Sequence, residues 1–134
     1  MVKGLWNYAV KAADMEKTVR YYQEYMDAEV LLKSRVLGCN YYLIRIGQTR
    51  IIVFDKAAYE EQFGMNLSPG FLHVVYEVDD HDVHIARLRK SGVRFLIEPT
   101  VIETDFDTRK IAFVEDIDGV RTEITQILKI KKKV

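Results

Sequence analysis

The chain has 134 residues, the size of one compact domain, with 49% hydrophobic and 30% charged residues. That balance supports a buried core without disulfides or metal staples. The 20 basic and 20 acidic side chains cancel, which argues against general attraction to nucleic acid or anionic membrane, and the single cysteine, Cys39, excludes an internal disulfide and fits a reducing cytoplasm.

Leu5 to Ala12 alternates large side chains and reads as a strand. Asp14 is placed to cap a helix, with Glu16 in the first turn where the helix dipole favours a carboxylate. Met15, Val19, Tyr22 and Met26 recur on one apolar helical face, and the helix should fade near Asp27. Three strand patterns follow, Glu29 to Val36, Asn40 to Ile46 and Thr49 to Phe54, with Gly38 and Gly47 at the turns. Residues 57–69 read as a linker with one helical turn at most. Phe71 to Val78 is the next strand, and Asp80 caps a helix that runs through Ser91 and stops at Gly92. Val93 to Ile97 reads as a strand interrupted at Pro99; Lys110 to Glu115 and Val120 to Leu128 complete the set around the turn Asp116-Ile117-Asp118-Gly119. Residues 130–134 read as a solvated basic tail. No apolar run is long enough to span a bilayer, and no secretion signal is expected at the N-terminus.

The order strand, helix, three strands thus occurs twice, in a first module of about residues 4–56 and a second of about 70–129. An offset of 66 relates them: Asn7 maps to His73, Asp14 to Asp80, Val19 to Ile85 and Tyr22 to Leu88. Two copies make a duplication, too few for a solenoid. The expected fold is α+β, two βαβββ units forming a cupped mixed sheet, each packing one sheet face on its helix. In the last strand, Val120, Thr122, Ile124, Gln126 and Leu128 fall on the helix side and Arg121, Glu123, Thr125 and Ile127 on the other. His73 shares a face with Phe71, Val75 and Glu77, so His73 and Glu123 can both point away from the helices, while Tyr8 should face its helix. His81 and His84 read as solvated helix residues, and Asp105 and Asp107 as a plain acidic loop. Arg45 and Tyr41, on a central strand, are candidates for contacts to an anionic ligand.

The stretches Leu5-Trp6-Asn7-Tyr8-Ala9-Val10, Gly70-Phe71-Leu72-His73-Val74-Val75 and Phe113-Val114-Glu115-Asp116-Ile117-Asp118-Gly119-Val120-Arg121-Thr122-Glu123 together resemble the vicinal oxygen chelate superfamily, which includes glyoxalases, bleomycin-resistance proteins and dioxygenases. The resemblance covers nearly the whole chain, with Ile117 where a proline is usual. It implies four metal-ligand positions, on the first and last strand of each module. Here they hold Asn7, an isoleucine (Ile52, or Ile51 in a shifted register), His73 and Glu123. The set is incomplete, since an open catalytic zinc site normally has three protein ligands and an amide oxygen is a poor one.

Two functions follow from that resemblance. One is an enzyme, such as a lyase, isomerase or dioxygenase, acting on a small oxygen-bearing molecule through zinc, nickel, manganese or iron held by His73 and Glu123, with Asn7 as a weak third ligand and Glu123 taking part in the chemistry. The other is a metal-free protein of bleomycin-resistance type that sequesters a small molecule, usually as a homodimer. Fold alone does not choose between them.

Overall fold

The computed structural model describes all 134 residues, arranged as eight strands and three helices: β1 (Val2–Lys11), α1 (Met15–Met26), β2 (Glu29–Val36), β3 (Cys39–Ile46), β4 (Thr49–Phe54), α2 (Ala58–Gln62), β5 (Gly70–Val78), α3 (His81–Ser91), β6 (Phe95–Glu103), β7 (Asp107–Glu115) and β8 (Arg121–Ile130). Two βαβββ modules joined by the short α2 give the α+β fold expected from the duplication. No helix is long and apolar enough to cross a membrane. The compact units do not follow the module boundaries in full. One is Asn7–Leu72; the other joins Met1–Trp6 to His73–Val134. Residues 1–6 are tied to the second group by the Asp79 amide, which donates to the Met1 carbonyl at 3.1 Å, and by Trp6, whose ring stacks on Phe106.

In the unit Asn7–Leu72 the strands lie in the order β2, β3, β4, β1. β1 runs parallel to β4, as a crossover through α1 requires, and the other pairs are antiparallel. Ala12, Val19, Ile44, Ile51 and Val53 form the core under α1, with Tyr8, Met15 and Tyr22 against it. Asp14 caps α1 by accepting from the Lys17 amide at 3.2 Å. β2 and β3 meet in a two-residue turn whose central residues, Leu37 and Gly38, have φ of 49° and 76°. Positive φ at both positions is the geometry that matches strand twist in tight hairpins. The linker is fastened by Lys11, whose Nζ donates to Glu60 Oε1 at 3.0 Å and to the Leu67 carbonyl at 2.7 Å.

The second unit repeats the plan with strand order β5, β8, β7, β6 and a parallel β5/β8 pair. Val78, Ile85, Ala112 and Ile124 form the core under α3, with Leu88 and Phe95 against it. Asp80 accepts from the Val83 amide at 3.1 Å, and Gly92 ends α3 in the left-handed region at φ 78°.

Three expectations change here. β6 does not stop at Pro99 but runs to Glu103, because it is the outer strand of its sheet and a proline there interrupts no ladder on its free side; two register shifts absorb the misfit. His81 is not solvated: it is fully buried, its Nε2 lies 3.1 Å from the Ile124 carbonyl, and its amide donates to Gln126 Oε1 at 2.8 Å. Nor is the tail wholly free. β8 extends to Ile130, and the amides of Lys131 and Lys132 both donate to the Phe106 carbonyl.

Candidate functional site

Strand register decides which side chains share a face, since residues paired across strands project the same way. Glu123 pairs with Val75 on β5 and with Phe113 on β7. His73 alternates with Val75, so the imidazole and the Glu123 carboxylate lie on the same face. Ile124 and Ala112, one residue along, pack under α3 on the opposite face. The His73 ring meets Phe113 edge-on, with centroids 4.9 Å apart and planes at 87°. It is almost completely buried, and burial, aided by the charge of Arg121, lowers its pKa to about 3. His73 is therefore neutral at physiological pH.

Glu123 is also buried, and burial raises its pKa above the usual carboxylate range. Two neighbours pull the other way: Arg109, whose Nη1 lies 4.0 Å from Oε2, and the Thr125 hydroxyl, which donates to Oε2. Asp107 raises it further. The balance leaves a carboxyl able to exchange a proton closer to neutrality than a surface glutamate can.

Arg109, Asp107 and Trp6 complete this group. Asp107 begins β7 instead of lying in a plain acidic loop. It is 2% exposed and accepts from Arg109 Nε at 2.9 Å and Nη2 at 2.5 Å. The Thr104 hydroxyl donates to Asp107 Oδ1 at 3.0 Å and accepts from the amides of Phe106 and Asp107, so the turn itself aims the carboxylate. The guanidinium lies 4.4 Å from the Trp6 ring centre and 5.1 Å from that of Phe106, and those two rings stack at 5.6 Å. A register shift between Thr108 and Arg109 governs this corner.

The remaining sequence candidates fall in the unit Asn7–Leu72. Asn7 is buried; its Nδ2 donates to the Tyr8 carbonyl at 3.1 Å and its Oδ1 has no hydrogen-bond partner. Ile52 pairs with Ala9, which alternates with Asn7, whereas Ile51 belongs to the core under α1. The register question is thus settled for Ile52, and that position offers no donor atom. Arg45 forms an exposed ion pair with Glu29 at 2.8 Å. Tyr41 is buried with its ring tilted against Phe54. Cys39 is buried, and burial pushes its thiol up to about 11, which makes it inert.

The donors do not fit the metal centre implied by the resemblance. No group of three or more His, Cys, Asp or Glu side chains is placed to hold an ion. Position 52 is aliphatic, position 7 offers only an amide, and both buried carboxylates of the second unit already have partners in Arg109 and Thr125. Three protein ligands are the usual minimum for an open catalytic site.

Against known proteins, the profile of the Glyoxalase/Bleomycin resistance protein/Dioxygenase superfamily matches residues 7–124. No curated protein matches the sequence. Among solved structures, methylmalonyl-CoA epimerase from Mycobacterium tuberculosis superposes with a TM-score of 0.75 at 21% identity, covering 93% of this chain and 88% of its own. A methylmalonyl-CoA epimerase in complex with methylmalonyl-CoA and NH4+ superposes at 0.78 and 19% identity, covering 99% and 100%. A hypothetical protein from Bacillus halodurans C-125 superposes at 0.75 and 18% identity, covering 97% and 95%. At such identities the superpositions establish the fold alone. The profile match spans most of the chain, and the protein belongs to the glyoxalase/bleomycin resistance/dioxygenase superfamily.

Proposed function

We propose that this protein acts on a small oxygen-bearing molecule by acid–base chemistry, with Glu123 as the group that takes and returns the proton. The supporting observation is a buried carboxyl of raised pKa on the same sheet face as a neutral imidazole. A general base is most effective when its pKa approaches the working pH, and burial moves Glu123 in that direction. His73 is neutral and so can orient a ligand oxygen without adding charge. Arg109 limits how far the pKa of Glu123 climbs. The reading uses no metal step, because the donor set lacks a third ligand.

Solvent deuterium exchange tests it. Methylmalonyl-CoA, the compound named for the superposed epimerases, is one probe; simple 2-oxo and 2-hydroxy acids are others. The expected result is deuterium at the carbon beside the carbonyl, with a loss of about 100-fold or more in Glu123→Gln. Equal exchange by Glu123→Gln would overturn the role of Glu123.

A second reading, sequestration without turnover, draws on the incomplete donor set: Ile52 and Asn7 stand at two of the four ligand positions, leaving fewer than three good metal ligands. Under it an aromatic drug binds one per chain and is recovered unaltered, and Trp6 fluorescence changes on binding. Trp6 is the only tryptophan, so the signal has a single source.

A further inference from the structure

The failure of the donor set to form a metal centre has a specific structural counterpart. Asp107 and Glu123 are buried carboxylates on adjacent strands, and Arg109 stands between them. Its Nε and Nη2 hold Asp107 at 2.9 and 2.5 Å, and its Nη1 lies 4.0 Å from Glu123. Trp6 and Phe106 cover the guanidinium, which is 4% exposed.

We propose that Arg109 is the built-in cation of this site: it excludes a divalent ion from Asp107 and Glu123, and loss of its charge turns the two carboxylates into a metal-binding pair. A guanidinium does not deprotonate in proteins and matches a carboxylate through two parallel hydrogen bonds. An ion from solution must therefore displace a tethered competitor that is always present. Without Arg109, two carboxylates in a poorly solvated corner must either take up protons or recruit another cation. Divalent ions with oxygen preference, manganese among them, answer that demand. The inference goes beyond proton transfer at Glu123, and its test reads ion uptake, not turnover; failure of the exchange assay leaves it standing, and the converse holds.

The experiment is calorimetric titration of the tag-free full chain with manganese, nickel and zinc. The wild type is expected to show no saturable uptake that depends on Glu123. Arg109→Met, which keeps much of the side-chain shape without the charge, is expected to bind manganese at least about 10-fold more tightly than the wild type. Adding Asp107→Asn or Glu123→Gln to that variant should remove the gain. If Arg109→Met does not fold by itself, refolding with manganese replaces the titration: folding that requires the ion supports the proposal, and a chain unfolded with or without it overturns it. A folded Arg109→Met with unchanged affinity overturns it, as does Glu123-dependent uptake by the wild type equal to that of the variant.

Discussion

The two modules share a backbone plan and differ in what they bury. Asp14 and Asp80, 66 residues apart, cap their helices with the same geometry, φ −141° and −140°, each accepting from the amide three residues on. Val19 and Ile85 are the matching buried helix residues, and Ala12 and Val78 the matching core residues at the strand ends. The correspondence extends to the opposite face, where Ala9 pairs with Ile52 and its counterpart Val75 pairs with Glu123. One structural position thus carries an isoleucine in the first module and an ionisable group in the second. The two modules match on the face that packs a helix and differ on the other, where the second carries buried ionisable groups. Packing tolerates little change in volume, whereas a polar face needs only that each buried group finds a partner.

The largest expected effect comes from the buried ion pairs, one in each compact unit. Arg109 and Asp107 have side chains 4% and 3% exposed; Lys11 and Glu60 are at 13% and 7%. Removing one partner strands the other charge. Arg109→Met is expected to cost about 3–5 kcal/mol in urea unfolding, and Lys11→Met less, since water reaches that pair more readily. The double variant Arg109→Met/Asp107→Asn should recover part of the loss, because Asp107 is then no longer a charge without a partner; Glu123, 4.0 Å from Arg109, keeps the rest of it. Equal losses at the two pairs would mean that depth of burial does not separate the modules.

Acid sharpens the contrast next. All three histidines lie in the second module, and the pKa of each is lowered first by burial. For His73 the value falls to about 3, against about 6.5 in an unfolded chain. Its contribution to stability is complete above pH 6.5. As pH falls from there toward 3, the unfolded chain takes up a proton that the folded one refuses. The loss from this residue is about 1.4 kcal/mol per pH unit at its steepest. His73→Asn, which copies Asn7 of the first module, should flatten the stability–pH curve across that window, whatever it does to stability at pH 7. A curve of unchanged slope would show that His73 does not resist protonation.

The helix caps should respond alike. Asp14→Ala and Asp80→Ala are each expected to cost about 1 kcal/mol, since each removes one acceptor for an otherwise unpaired amide. A difference well beyond 0.5 kcal/mol, on the order of the usual scatter between independent sites, would show that one module leans on its cap more than the other.

These matched residues are also the ones legible in the sequence. The alternation within β5 and within β8 placed His73 and Glu123 on the face that the register gives them, and the local patterns marked the caps Asp14 and Asp80, because each rests on spacing within a single element. The corner built from Trp6, Asp107 and Arg109 was not legible. It depends on a hydroxyl-stabilised turn at Thr104, a register shift beside Arg109 and a contact across about a hundred residues of chain. A charged pair two apart in a strand, such as Asp107 and Arg109, is ordinarily solvated. His81 was misread for a similar reason: helix periodicity gives no warning that the Ile124 carbonyl takes its ring nitrogen.

The smallest effect lies in how the modules turn a corner. The second joins β6 to β7 through Thr104, whose hydroxyl bonds the turn amides. The first joins β2 to β3 by Leu37-Gly38 alone, and Leu37 holds φ 49° with its side chain about half exposed. Left-handed backbone costs a non-glycine residue on the order of 1 kcal/mol, and asparagine pays less of it than leucine does. Because Leu37 contributes little to the core, Leu37→Asn should relieve strain without opening a cavity. We expect a gain of about 0.5–1 kcal/mol in urea unfolding and no change in any ligand assay. A loss of stability would mean that the exposed leucine makes a contact more valuable than the strain it bears, and that the tight hairpin of the first module is held by its side chains as the wider turn of the second is held by Thr104.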